Sequence, residues 1–223
     1  MNGQSRRVLL SGRLRDQRGL TLVELLVGMI VMGILTTMLL LTWFSLNDSY
    51  SYSVRSYEAR DNARLAVSRL QREIRDAQGP LGTDTSALVK AEPGRIAFYT
   101  TFNEDQNEDP TLDPHLVAYR AYDDGTLWRF EDDAYKTASG ASEAADAGAT
   151  LILKDMVNTD EEPLFQYSTV DEDGNIDFPA PDSGNLGAIL GVRIHLLVDL
   201  NPGKSPVHVD FTTLAQLRNQ RAY

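Results

Sequence analysis

Glu24 is the one ionisable side chain within the apolar run of residues 20–44. A carboxylate at the centre of a membrane helix costs about 2.5–3.5 kcal/mol on insertion scales, and less near the helix end. An acid held in such a place usually marks a function rather than filling a space. Elsewhere the chemistry-bearing residues are sparse. Asp171-x-Asp173-Gly174 is an oxygen-rich turn of the kind that can hold Ca²⁺, but an EF-hand loop has its glycine at the sixth position rather than the fourth. A plain β-turn is therefore expected there, with Ca²⁺ at Asp171 and Asp173 as the alternative and the only cofactor the sequence offers. Gly203-Lys204-Ser205 imitates the end of a phosphate-binding loop, yet Val198 stands where the first glycine belongs and no helix pattern follows. His115, His195 and His208 are the only histidines, and His195 and His208 alternate with apolar strand residues, so satisfied or exposed strand histidines are expected. Glu161-Glu162 lies beside Pro163 with no partner constellation. With no cysteine, thiol catalysis, disulfides and zinc–thiolate sites are excluded. No catalytic residue is expected, and the chain does not read as an enzyme.

The elements that position Glu24 are a basic leader and a long apolar helix. Residues 1–19 carry Arg6, Arg7, Arg13, Arg15 and Arg18 against Asp16, a net charge of +4. Positive charge before the apolar run places the N-terminus in the cytoplasm. The 25 residues of the run would span about 37 Å as a helix, enough to cross a bilayer with some tilt. No small-residue cleavage pattern follows the run, as a secretory signal would require, and Asn47-Asp48-Ser49 comes next. Trp43 and Tyr50 flank its end, where an interfacial aromatic belt is expected.

Gly19-Leu20-Thr21-Leu22-Val23-Glu24-Leu25-Leu26 resembles the class III signal of type IV pilins and type II secretion pseudopilins. The resemblance implies that a membrane prepilin peptidase cuts after Gly19 on the cytoplasmic side and that Leu20 becomes the N-methylated terminus. Leu20 replaces the commoner phenylalanine. Glu24 is then the assembly carboxylate, meeting a neighbouring subunit's terminal amine and setting the axial register between subunits. Removing a leader of net +4 from a chain of net −11 leaves −15 on 204 of the 223 residues. So acidic a chain argues against nucleic acid as a partner of the bulk surface and suits a secreted head.

Beyond Phe44 no proline or glycine occurs until Gly79-Pro80, so the helix is expected to run to about Gln78. Ala59, Ala63, Ala66, Leu70, Ile74 and Ala77, broadened by Val67, form its apolar stripe, and the arginines between 60 and 75 read as a solvated face with weak pairs such as Arg69–Glu73. Strands are expected at residues 95–101, 116–122, 126–130, 164–170, 192–200 and 207–217, with a hairpin turn at Asp123-Asp124-Gly125. Residues 103–114 and 131–149 read as flexible. The expected fold is α+β: a leader at 1–19, a transmembrane half of the helix at 20–45, an amphipathic half at 46–78, and a β-rich head at 79–223 made of one antiparallel sheet of roughly six to eight strands on the helix.

The helix end Arg69-Leu70-Gln71-Arg72-Glu73-Ile74-Arg75, the Val117-Ala118-Tyr119-Arg120 strand and the Leu127-Trp128-Arg129 hairpin are similar to PilW-type minor pilins and to minor pseudopilin J of type II secretion. That resemblance implies a structural subunit that primes or caps a pilus or pseudopilus. Its partners would be prepilin peptidase, other major and minor pilins or pseudopilins, the inner-membrane assembly platform and membrane lipid. It would sit single-pass in the inner membrane with its head outside, then in an extracellular or periplasmic filament. The alternatives are an adhesive or DNA-uptake tip module, and a membrane-anchored protein unrelated to pili.

Overall fold

The computed structural model describes residues 21–80, 86–102, 114–170, 173, 175–179, 185–200 and 208–217. The chain divides into two units, Met1–Tyr50 and Ser51–Tyr223, and helix α1 (Leu22–Arg75) contributes to both. In the first unit α1 is apolar on every side, and none of its membrane-length window is buried within the chain. Leu25, Leu26, Ile30, Ile34, Met38 and Leu41 all lie open. An all-round apolar helix left uncovered by its own chain belongs in lipid or in the core of an assembly. By length and composition α1 is the one helix among the described residues able to cross a membrane. Two of its hydroxyls are satisfied inside the helix: Thr37 Oγ1 donates to the Gly33 carbonyl at 2.8 Å and Thr42 Oγ1 to Met38 at 2.9 Å. Such bonding one turn back removes the cost of a free donor in an apolar solvent.

In the second unit α1 buries the expected stripe, Ala63, Ala66, Val67, Leu70 and Ile74, against two antiparallel sheets. The helix stops at Arg75 rather than near Gln78. Ala77 bridges Thr100 and the Gln78 amide donates to the Tyr99 carbonyl, so a sheet edge captures the backbone that would have continued the helix. One sheet is a meander of five strands: β1 (Leu88–Glu92), β2 (Arg95–Thr100), β3 (His115–Ala121), β4 (Leu127–Glu131) and β5 (Thr150–Leu153). The other has the order β7-β6-β8-β9, from β6 (Phe165–Val170), β7 (Ile176–Asp177), β8 (Gly191–Asp199) and β9 (His208–Gln216). The α+β architecture, a long N-terminal helix with antiparallel sheets, is thus as expected and pilin-like. A single sheet of six to eight strands is not: among the described residues nine strands fall into two sheets. They share one core, in which Phe98, Tyr119, Tyr167 and Ile194 meet the helix stripe. Tyr167 ties the sheets together by donating its hydroxyl to the Glu92 carbonyl at 2.9 Å, and burial raises its pKa.

The segment read as flexible between residues 131 and 149 is ordered instead. It forms a 3₁₀ turn (Asp132–Lys136) and the short helix α2 (Ala141–Asp146). Tyr135, Ala138 and Ala144 are buried with Ala97, Ala118 and Phe130 in a second, smaller core. The alanines of this segment and of β2 and β3 are what allow so close an approach, and Tyr122 Oη fixes it by donating to the Ala138 carbonyl at 3.0 Å. Residues 103–113, the rest of the other segment read as flexible, lie outside the described residues, as do residues 201–207 with Gly203-Lys204-Ser205.

The Asp123-Asp124-Gly125 turn closes β3 onto β4 as expected, with Tyr122 N–H donating to Thr126 O at 2.9 Å. Gly125 has φ +76°, and a Cβ there would lie 2.7 Å from the Met156 carbonyl oxygen. Left-handed backbone costs an L-residue about 1–2 kcal/mol before any clash. Gly125→Ala is therefore expected to lower stability by about 2 kcal/mol or more, measured as a fall in the denaturation midpoint of the full chain in detergent.

Candidate functional site

The first turn of α1 holds Glu24 in a capping box. Thr21 Oγ1 accepts from the Glu24 amide at 3.2 Å, while Glu24 Oε2 accepts from the Thr21 amide at 3.2 Å and from its hydroxyl at 3.3 Å. Two amides that the helix itself leaves unpaired are satisfied reciprocally, and the acid lies at the favourable end of the helix dipole. The signal for this was present as Thr21-x-x-Glu24, the capping-box spacing, although Glu24 was expected only to face a neighbour. Oε2 carries both intrahelical bonds. Oε1 accepts nothing among the described residues, so one carboxylate oxygen stays open to an external donor. Gly19 and Leu20, the expected cleavage residue and new terminus, lie outside the described residues.

A second polar constellation sits in the head. Glu73 is 0 % exposed, inside the stripe expected to be apolar. Arg129, 6 % exposed on β4, places Nε 3.1 and 3.2 Å from the two Glu73 carboxylate oxygens and Nη1 2.6 Å from Glu131 Oε1. Arg69 Nε reaches Glu73 Oε1 at 3.0 Å. The Arg69–Glu73 pair expected on a solvated face is thus half of a buried network, a correction that follows from Arg129 arriving from the sheet. Burial by itself weakens proton binding by the Arg129 guanidinium, but the Glu131 hydrogen bond and the Glu73 charge outweigh it and raise its pKa. Tyr119 faces Arg129 across the β3–β4 ladder. Burial, reinforced by the nearby Glu73 charge, pushes its phenol well above the ordinary value, and its hydroxyl makes no hydrogen bond of ordinary geometry. The signal for Arg129 was its place two residues from Leu127 on one strand face. Nothing local tied it to Glu73.

Chemically, the network fixes α1 to the sheet. The other residues weighed from the sequence do not gather. His115 opens β3, His208 is exposed, and His195 Nε2 lies 3.3 Å from Asp210 Oδ1 as a cross-strand pair. Glu161 and Glu162 are exposed. Asp173 is exposed, whereas Asp171 and Gly174 lie outside the described residues. Among the described residues no three of His, Asp and Glu are grouped to hold a metal ion.

No curated protein matches the chain. Residues 14–40 match the family model of the prokaryotic N-terminal methylation motif, which covers Gly19, Leu20 and Glu24 together. That motif implies processing by prepilin peptidase and assembly with other pilins. The chain therefore carries the prepilin-type N-terminus of type IV pilin-like proteins.

Proposed function

We propose that the protein is a minor pilin or pseudopilin, a structural subunit that primes or caps a type IV pilus or a type II secretion pseudopilus. The observation that carries this reading is the methylation motif over residues 14–40 running into a helix whose apolar surface its own chain leaves uncovered. In this reading prepilin peptidase cuts between Gly19 and Leu20, and methylation of the Leu20 amine keeps its positive charge. An unpaired amine in the membrane is costly, and Glu24 of the adjoining subunit offsets that cost. The capping box suits both duties, because Oε2 serves the acid's own helix while Oε1 accepts the neighbour's amine. The minor rather than the major role rests on the head: the helix end Arg69–Arg75 and the β3–β4 hairpin are similar to minor subunits, and the chain has no cysteine to close a C-terminal disulfide loop.

Filaments sheared from cells carrying the assembly machinery, with and without prepilin peptidase, test the proposal. The chain is expected in the sheared fraction only when the peptidase is present. Retention in the membrane regardless of the peptidase would contradict it.

A further inference from the structure

Strand β9 ends its sheet, and among the described residues its outer edge is open at Asp210 and Thr212. His195 gives its amide to Leu164, Leu197 accepts from Val157 and donates to Asn158 Oδ1, and Asp199 donates to Asp155, all on the side of β8 away from β9. The residues that face them in register, Thr212, Asp210 and His208, are therefore non-hydrogen-bonded partners whose own N–H and C=O groups point away from β8. Leu214 belongs to the same outward row, and its carbonyl accepts from Gln71 Nε2 at 3.4 Å. Among the described residues, Thr212 and Asp210 have no backbone partner on that edge.

Beside this edge runs a groove of about 640 Å³, walled by Tyr57, Arg60, Asp61 and Arg64 of α1 and floored by Val209 and Phe211. Tyr57 is 73 % exposed. Val209, Phe211 and Thr213 are only partly covered, although Val198, Leu196 and Ile194, which face them on β8, are fully buried. Among the described residues the sheet thus stops one element short of covering its own inner face. The outward backbone groups of Asp210 and Thr212 are a template for strand addition, which natural sheets otherwise block.

We infer that β9 docks an extended segment of a neighbouring pilin-like subunit, which adds a tenth strand along Asp210 and Thr212 and seats apolar side chains against Phe211 and Tyr57. The unpaired amides and carbonyls call for an extended chain rather than a helix. The groove's far wall is residues 57–64 of α1, the helix whose N-terminal part carries the methylation motif. Once residues 1–19, of net +4, are removed from a chain of net −11, the −15 that is left sets a second copy against itself, so a different subunit is the occupant. The inference rests on the reading of the chain as a filament subunit.

Because the chain has no cysteine, Thr212→Cys in the full chain gives a single thiol at the edge, and Asp146→Cys, exposed on α2, gives a reference. Maleimide labelling is compared between sheared filaments and detergent-extracted chain. Thr212→Cys is expected to label about tenfold more slowly in filaments, a tenfold excess of covered over open edge, and Asp146→Cys equally in both. Thr212→Pro removes an outward amide, which an edge strand tolerates, and an exposed hydroxyl bond to Asp210, and is expected to cut incorporation about tenfold with little change in the melting temperature. Equal labelling at Thr212→Cys in a processed, incorporated chain overturns the docking while leaving the filament reading intact. A disulfide-linked dimer of the chain through Thr212→Cys overturns the choice of partner. A wild-type chain that never enters filaments removes both.

Discussion

Arg129→Ala lowers the stability of the full chain in detergent by about 3–5 kcal/mol, read as a shift in the chemical denaturation midpoint. The magnitude comes from what the substitution leaves behind. Glu73 stays in the core with only Arg69 at 3.0 Å, and Arg69 is itself partly exposed. A buried carboxylate stripped of its best partner cannot recover its hydration. The same reasoning gives the opposite result for removing both charges. The double variant Glu73→Leu, Arg129→Met is expected to recover most of the loss, because well-packed apolar replacements of a buried pair are often neutral or stabilising. Glu131→Gln serves as the contrast. Its side chain is 66 % exposed, so despite a 2.6 Å contact its pair with Arg129 contributes at most about 1 kcal/mol. The Arg129 hydrogen bond holds the Glu131 carboxyl below its ordinary pKa, so this small contribution is present above the ordinary carboxylate range and is lost as pH falls through the lowered value. Loss of several kcal/mol in Glu131→Gln, or none in Arg129→Ala, would contradict this ranking.

Glu24→Gln is expected to leave processing intact and to cut incorporation into filaments by about ten- to hundredfold. Glutamine retains the reach and the acceptor of the capping box, so the first turn of α1 keeps its hydrogen bonds. The substitution removes the charge alone. If a neighbour's methylated amine depends on that charge, it is left unpaired in lipid, and a cost of about 1.4–2.8 kcal/mol, below that at a helix centre, corresponds to this range. Thr21→Ala makes the converse change, breaking the box for about 0.5–2 kcal/mol of helix stability while keeping the carboxylate. Incorporation is expected to survive it. Normal incorporation of Glu24→Gln together with loss in Thr21→Ala would reduce Glu24 to a helix cap.

What could be read from the sequence divides along a physical line. The apolar run, its single acid and the alternation of Val192, Ile194, Leu196 and Val198 are contiguous signals, and the structure places each on the expected element. Periodicity identifies the buried face of a strand but not the strand it joins, so two sheets were read as one. Strands β1, β5 and β7 escaped notice because each is short and ends its sheet, β1 carrying Lys90 and Glu92 on an edge where charge blocks further pairing. Between residues 131 and 149, abundant alanine looked like disorder, yet small side chains are what let that segment lie on β2 and β3. The buried network was least legible of all. Glu73 and Arg129 stand 56 residues apart, and each in isolation resembles an ordinary surface charge. At α1, by contrast, the cap and the candidate assembly acid occupy one turn, and the whole constellation could be found from Thr21-x-x-Glu24 alone.

The most direct measurement is the mass of the N-terminal peptide of the chain after expression with prepilin peptidase. A chain that begins at Leu20 with a methylated amine is the expected result. A chain that keeps residues 1–19, or one that begins beyond Phe44, would contradict the prepilin reading and leave α1 as an ordinary membrane anchor.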